Sequence, residues 1–222
     1  MHRQSMLFLI ILALLAALAV YEAFSRFQAP AAFTRYLGIS SFFLLCVSLS
    51  LGPLTILGHR HFSGLIEPRR AVGLAAFALM AGHIAIAAGG EYGWDMGAML
   101  QMFQIQLAVP AAFLMTVLAL TSSDYAVKAL GPSLWKKIQM LNYAVFPLAL
   151  AHFLLSATGL SSGGGAPDLA ELSALMAGIA AIALQLCGFF VRRAKKAEWL
   201  ARSAGARKEP GGEVSPPGPA RP

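Results

Sequence analysis

Long uncharged apolar runs constrain this chain more than any other feature. They cover approximately Met6 to Phe24, Tyr36 to Leu57, Ala71 to Gly89, Leu100 to Leu120, Gln139 to Thr158 and Glu171 to Val191. A bilayer core of about 30 Å is crossed by a helix of about 20 residues, and each run reaches that length within its usual scatter. Unpaired backbone groups are too costly in lipid for any spanning state but a helix or a closed barrel, and the runs lack barrel-type alternation. Composition points the same way. Hydrophobic residues make up 58% of the chain and charged residues 12%, which is about half the charge of an ordinary soluble domain. The expected fold class is therefore all-α: a polytopic membrane helix bundle of about six transmembrane helices. Residues 1–24 would form the first helix, retained rather than cleaved because no convincing small-residue cleavage site interrupts it. Residues 33–191 would form the core, and residues 192–222 a basic and then disordered tail.

Orientation follows from the basic residues. With six spans, the N-terminus, the loops carrying Arg60, Arg69 and Arg70 and then Lys128, Lys136 and Lys137, and the tail share one face. Only Arg26 and Arg35 fall on the other. The positive-inside rule then makes both termini cytoplasmic. The net charge of +7 is not a nucleic-acid footprint, because these clusters are broken up by apolar spans and form no continuous basic face. The tail's basic cluster should lie near the anionic leaflet, with the Pro- and Gly-rich residues 209–222 disordered beyond it. Cys46 and Cys187 sit in separate apolar runs and suggest neither a disulfide framework nor a thiolate metal site.

Ionisable groups inside a span are costly and mark functional candidates, which directs attention to His83 and His152. His83 lies thirteen residues beyond Arg70 and His152 fifteen beyond Lys137, so both should stand about 20 Å above the cytoplasmic face, at about 1.5 Å per residue. Histidines at matching depth on two helices can meet across a bundle. A metal between them would have two axial nitrogens and need four equatorial ligands, which haem supplies and this polypeptide does not. Small residues nearby (Gly82, Gly89, Gly90, Ala144, Ala149 and Ala151) can make room for a ring, and Pro147 can kink the helix ahead of His152. Each histidine can equally be a hydrogen-bond partner to a neighbouring helix. His59 and His61 beside Arg60, with Arg69 and Arg70, are candidate anion or flavin contacts, though solvation and topology anchoring explain them as simply. Met96, Met99 and Met102 read as a packing stripe. No hydrolase motif, intramembrane aspartyl pair or dinucleotide fingerprint is present.

The ordered set Thr34-Arg35-Tyr36-Leu37-Gly38, Gly52-Pro53-Leu54, Arg69-Arg70-Ala71-Val72-Gly73-Leu74, His83, Leu118-Ala119-Leu120-Thr121-Ser122, Leu134-Trp135-Lys136-Lys137-Ile138, Tyr143 and His152-Phe153 resembles the ferric-reductase-like transmembrane family. Within that family it resembles the MsrQ (YedZ) haem-binding subunits, over roughly residues 33–190. The resemblance implies a multi-pass b-type haem protein of the bacterial inner (plasma) membrane that carries electrons to a periplasmic molybdoenzyme repairing oxidised methionine. One position departs from the pattern: where such relatives usually have a second histidine, four residues after the Trp, this chain has Gln139. The expectation is thus one haem b, held by His83 and His152, with quinol, a flavin reductase or bound FMN as electron donor and the lipid bilayer as surroundings. Two other readings remain open at this stage. One is a haem-free scaffold or small-solute permease that keeps the fold, and the other is a direct reductase of ferric iron or oxygen species.

Overall fold

The computed structural model describes residues 30–58, 66–157 and 169–206. Their secondary structure is helical: α1 Pro30–Leu57, α2 Ile66–Ile86 with a π-helical turn Ala87–Glu91, a short α3 Met96–Gln101, α4 Phe103–Leu120, α5 Asp124–Gln139, α6 Asn142–Ala157 and α7 Leu169–Ala206. Among these residues five segments are long and apolar enough to cross a membrane, and none forms a strand. The expected first span, Met6 to Phe24, lies outside the described residues.

Two boundaries differ from expectation. The segment carrying Lys128, Lys136 and Lys137 is no plain loop but the helix α5, amphipathic, capped by Ser123 and broken at Gly131, whose φ of 73° and following Pro132 mark a kink. The three lysines are exposed, Lys128 before the break and Lys136 and Lys137 after it. The last helix also runs past Val191 to Ala206. Its 38 residues extend about 57 Å, far more than the bilayer core needs.

At the centre stands α1, packed between α2 and α7, while α4 pairs with α6. Lipid offers no hydrophobic drive between apolar helices, so close approach has to come from small residues and hydrogen bonds. On α7, Ala174, Gly178, Ala181 and Gly188 form one such face. Ala174 and Ala181 are fully enclosed, Gly178 lies against Phe42, and Gly188 lies against Pro53. The same face carries Gln185, whose amide donates to the Leu49 carbonyl at 2.8 Å. Pro53 has no N–H, so the carbonyl four residues earlier, at Leu49, loses its helical donor, and the glutamine from α7 replaces it. Ser41 donates to the Ala76 carbonyl at 2.8 Å and ties α1 to α2, where Val72 and Ala76 are fully buried. One apolar cluster joins Leu44, Leu45, Leu49, Val72, Ala76, Met115, Leu118 and Val145. A second gathers Ile39, Phe42, Cys46, Phe153, Ala174 and Ala181, with Phe42 stacked on Phe153 at 4.8 Å between ring centres.

Candidate functional site

His83, near the end of α2, and His152, late in α6, meet in one cavity, with ring centres 6.4 Å apart and ring planes at 66°. Each imidazole is held the same way. His83 Nδ1 lies 2.8 Å from the Thr34 carbonyl on α1, and His152 Nδ1 lies 2.8 Å from the Gln104 carbonyl on α4. A carbonyl only accepts, so each Nδ1 carries the proton and donates it. In the neutral ring the lone pair is then on Nε2, the tautomer a metal-binding imidazole requires.

Room for His83 comes from Gly38. A Cβ at that position would stand 3.0 Å from both Cε1 and Nδ1 of the ring. Glycine lets the imidazole lie flat against α1 and reach the Thr34 carbonyl one turn earlier. His152 follows Pro147 in α6, and its partner Gln104 sits in the first turn of α4, just past the extended residue Met102.

The cavity has a volume of about 440 Å³. Its walls come from α1, α2, α4 and α6, and small side chains (Ala108, Ala111, Ala112 and Ala149) widen it beside Phe42 and Phe153. Arg35 and Glu171 also line it. Glu171, at the start of α7, is 4% exposed and accepts from Arg35 Nε at 3.0 Å and Arg35 Nη2 at 2.5 Å on a single oxygen. The pair therefore puts a guanidinium and a buried carboxylate into the wall of a mostly apolar chamber, which Thr34, Ser41, Glu91 and Ser156 also line.

Two rings bound to opposite sides of one metal, at about 2.0–2.1 Å per bond and with each nitrogen about 1.1 Å from its ring centre, have centres about 6.3 Å apart. The observed 6.4 Å matches that spacing. No group of three or more His, Cys, Asp or Glu able to hold a bare ion occurs among the described residues. The donor set suits a metal that brings its own equatorial ligands. The chamber's size and apolar lining suit a flat macrocycle.

The other sequence candidates separate. Arg70 donates through both Nη atoms to one Asp124 oxygen, at 2.5 and 2.8 Å, in an exposed pair. Arg69 lies against Gly52, and its backbone carbonyl accepts from Ser48 at 3.4 Å. His59 and His61 lie outside the described residues. Gln139 donates to the Thr121 hydroxyl at 3.4 Å, while Trp135 donates to the Thr121 carbonyl at 2.9 Å. Of the small residues singled out from sequence, Ala149 reaches the cavity. Gly82 instead faces Leu37 and Gly89 faces Trp94. Sequence reasoning missed Gly38 as the residue beneath His83, and it missed Arg35, Glu171 and the α4 wall. The spacing of Ala108, Ala111 and Ala112 on one helical face was the available signal for that wall.

Residues 37–150 match the family described as ferric reductase like transmembrane component. Among curated proteins, the chain is 34% identical over 127 residues to the protein-methionine-sulfoxide reductase heme-binding subunit MsrQ of Azospira oryzae, covering 55% of this chain and 54% of that protein. It is 30% identical over 156 residues to the MsrQ of Herminiimonas arsenicoxydans, covering 68% and 71%. It is also 32% identical over 136 residues to the magnetosome protein MamZ of Magnetospirillum gryphiswaldense, covering 59% of this chain and 20% of that protein. The chain thus spans about a fifth of MamZ and about half of the Azospira protein. No solved structure matches it.

Proposed function

Because this chain belongs to the ferric reductase like transmembrane family, we propose that it is a multi-pass membrane electron-transfer protein that holds one b-type haem between His83 and His152. The observation that carries this reading is the pair of imidazoles, each tethered through Nδ1 to a backbone carbonyl, with centres 6.4 Å apart in one chamber. The name of the MsrQ relatives, heme-binding subunit, supports the same cofactor.

Bound haem would supply a reversible one-electron couple, with its potential set by ligands, burial and nearby charge. The chain's own residues do the rest. His83 and His152 offer two Nε2 lone pairs. Thr34 and Gln104 fix their tautomer and direction, and Gly38 lets His83 lie close to α1. Phe42, Phe153 and the alanines of α4, which line the chamber, would help exclude water from bound haem. Arg35 and Glu171 would set an ion pair in the wall beside bound haem.

A single haem is favoured because Gln139 occupies the second histidine position and is engaged with Thr121. We place both termini in the cytoplasm, the membrane as the bacterial inner membrane, and the His83–His152 chamber in its outer half. Quinol or a flavin, FMN included, is then the donor on the cytoplasmic side, with Arg69 and His59 or His61 as anion contacts. Arg70 is already neutralised by Asp124. The acceptor is an outer-side protein, a periplasmic methionine sulfoxide reductase catalytic subunit of the molybdoenzyme type.

The test is a dithionite-reduced spectrum of the purified protein with a pyridine haemochrome assay. Reduced b-type bands at about one haem per chain are expected. No bands, even after haem supplementation, would return the chain to the scaffold or permease reading.

A further inference from the structure

Arg69 opens the membrane-crossing stretch of α2, and among the described lysines and arginines it alone is not exposed. Arg35 and Arg70 have carboxylate partners, Glu171 and Asp124. The lysines of α5 and the cations of α7 are open to water. Arg69 has neither arrangement. Its backbone carbonyl accepts from Ser48, but among the described residues no hydrogen bond or ion pair reaches its guanidinium. The group is laid over α1 at Gly52, with Nη1 3.4 Å and Cζ 3.8 Å from where a Cβ would stand. Tyr143 of α6 lies within electrostatic reach and offers a hydroxyl in place of a carboxylate.

A partly buried guanidinium at the edge of the bilayer has lost hydration, and an anion that hydrogen-bonds to it restores the loss. Its N–H donors form a planar fork, which matches two oxygens of a phosphate with parallel bonds. In the topology above, this end of α2 is the cytoplasmic one. Lipid headgroups carry phosphate at that height, and basic pockets between spans suit them.

We propose that Arg69 anchors a phosphate-binding site where α1, α2 and α6 meet, filled by the headgroup of an anionic phospholipid. The site gives a chemical identity to the anion contact assigned to Arg69 above. It rests on the electron-transfer reading for its cytoplasmic side and needs no bound haem. A phosphate dissolved in water shares the same chemistry, so the two sources are tested side by side.

The full-length protein in detergent is titrated separately with phosphatidylglycerol, with phosphatidylcholine and with inorganic phosphate, and bound ligand is counted by native mass spectrometry. Phosphatidylglycerol should bind about 10-fold more tightly than phosphatidylcholine, whose own cation neutralises its phosphate. Arg69→Gln should abolish that preference. Lys136→Gln, which removes the same charge from an exposed position on α5, should keep it. Should Arg69→Gln not fold, Arg69→Lys takes its place, and loss of the planar fork should still lower the preference about 3-fold. Inorganic phosphate binding that depends on Arg69, with no lipid preference, upholds the phosphate site and moves its source from the bilayer to water. If neither lipid preference nor phosphate binding depends on Arg69, or if Lys136→Gln lowers both as much, the site is overturned. A protein without haem bands that keeps the Arg69-dependent preference would sink the electron-transfer reading and leave this site standing.

Discussion

Replacing Gly38 by alanine puts the account of His83 under direct strain. The new Cβ would stand 3.0 Å from Cε1 and Nδ1 and 3.5 Å from Cγ of the imidazole, all atoms of a rigid ring. Reaching ordinary contact requires a retreat of about 0.4 Å or more, and the retreat is away from α1, which also bears the Thr34 carbonyl. The 2.8 Å bond from His83 Nδ1 then lengthens past good geometry. Losing a hydrogen bond that orients a metal ligand costs about 1–3 kcal/mol and typically 10- to 100-fold in metal affinity. Alanine is also the better helix former by about 1 kcal/mol, which offsets part of that cost, so the apoprotein should lose no more than about 2 kcal/mol. The assay is haem per chain after purification and washing, read beside thermal unfolding of the haem-free protein. Gly82→Ala is the matched control, since its Cβ would meet only Leu37 Cδ1 at an ordinary 3.6 Å. Haem retention should fall in the first variant and hold in the second. Equal retention in both, or equal loss in both, would refute the argument.

Other substitutions probe separate parts of the fold. Gln185→Leu leaves the Leu49 carbonyl without the donor that replaces Pro53's missing N–H, and should cost about 0.6–2 kcal/mol in thermal or denaturant unfolding in detergent. Glu171→Leu removes a buried carboxylate from beside Arg35; because Arg35 is half exposed the loss should be modest, about 1–2 kcal/mol, and an unchanged melting curve would show that the pair contributes nothing. Arg70→Ala breaks only an exposed pair with Asp124 and should change stability by less than about 1 kcal/mol, an effect that added salt shrinks further.

The spans were legible because length and apolarity alone decide them, and where helices are described their apolar stretches fall within a few residues of the sequence reading. That His83 and His152 could meet was legible from matched counts along two spans, but Lys137 lies on α5 and a turn at Met140 and Leu141 separates it from α6, so the rise to His152 is shorter than the count implied. Charged segments were harder to read. Lys128, Lys136 and Lys137 look like a loop in a linear reading, yet they lie on the two halves of the kinked, amphipathic α5. Nothing after Val191 breaks α7, because Ala194, Ala197 and Ala201 favour helix. Gly38 was legible only as part of a motif, since its purpose is set by a ring from another helix. The carbonyls of Thr34 and Gln104 have no sequence signature, because every residue carries one. Glu171 read as the edge of an apolar run; only the packing of α7 on α1 buries it beside Arg35.

The central claim is that both imidazoles bind the same iron, and low-temperature electron paramagnetic resonance of the ferric protein tests it most directly. The crossed ring planes, at 66°, predict a strongly anisotropic low-spin signal from a six-coordinate site, and His83→Ala or His152→Ala should each abolish it. A high-spin signal from the wild-type protein, or a low-spin signal that survives His152→Ala, would contradict it.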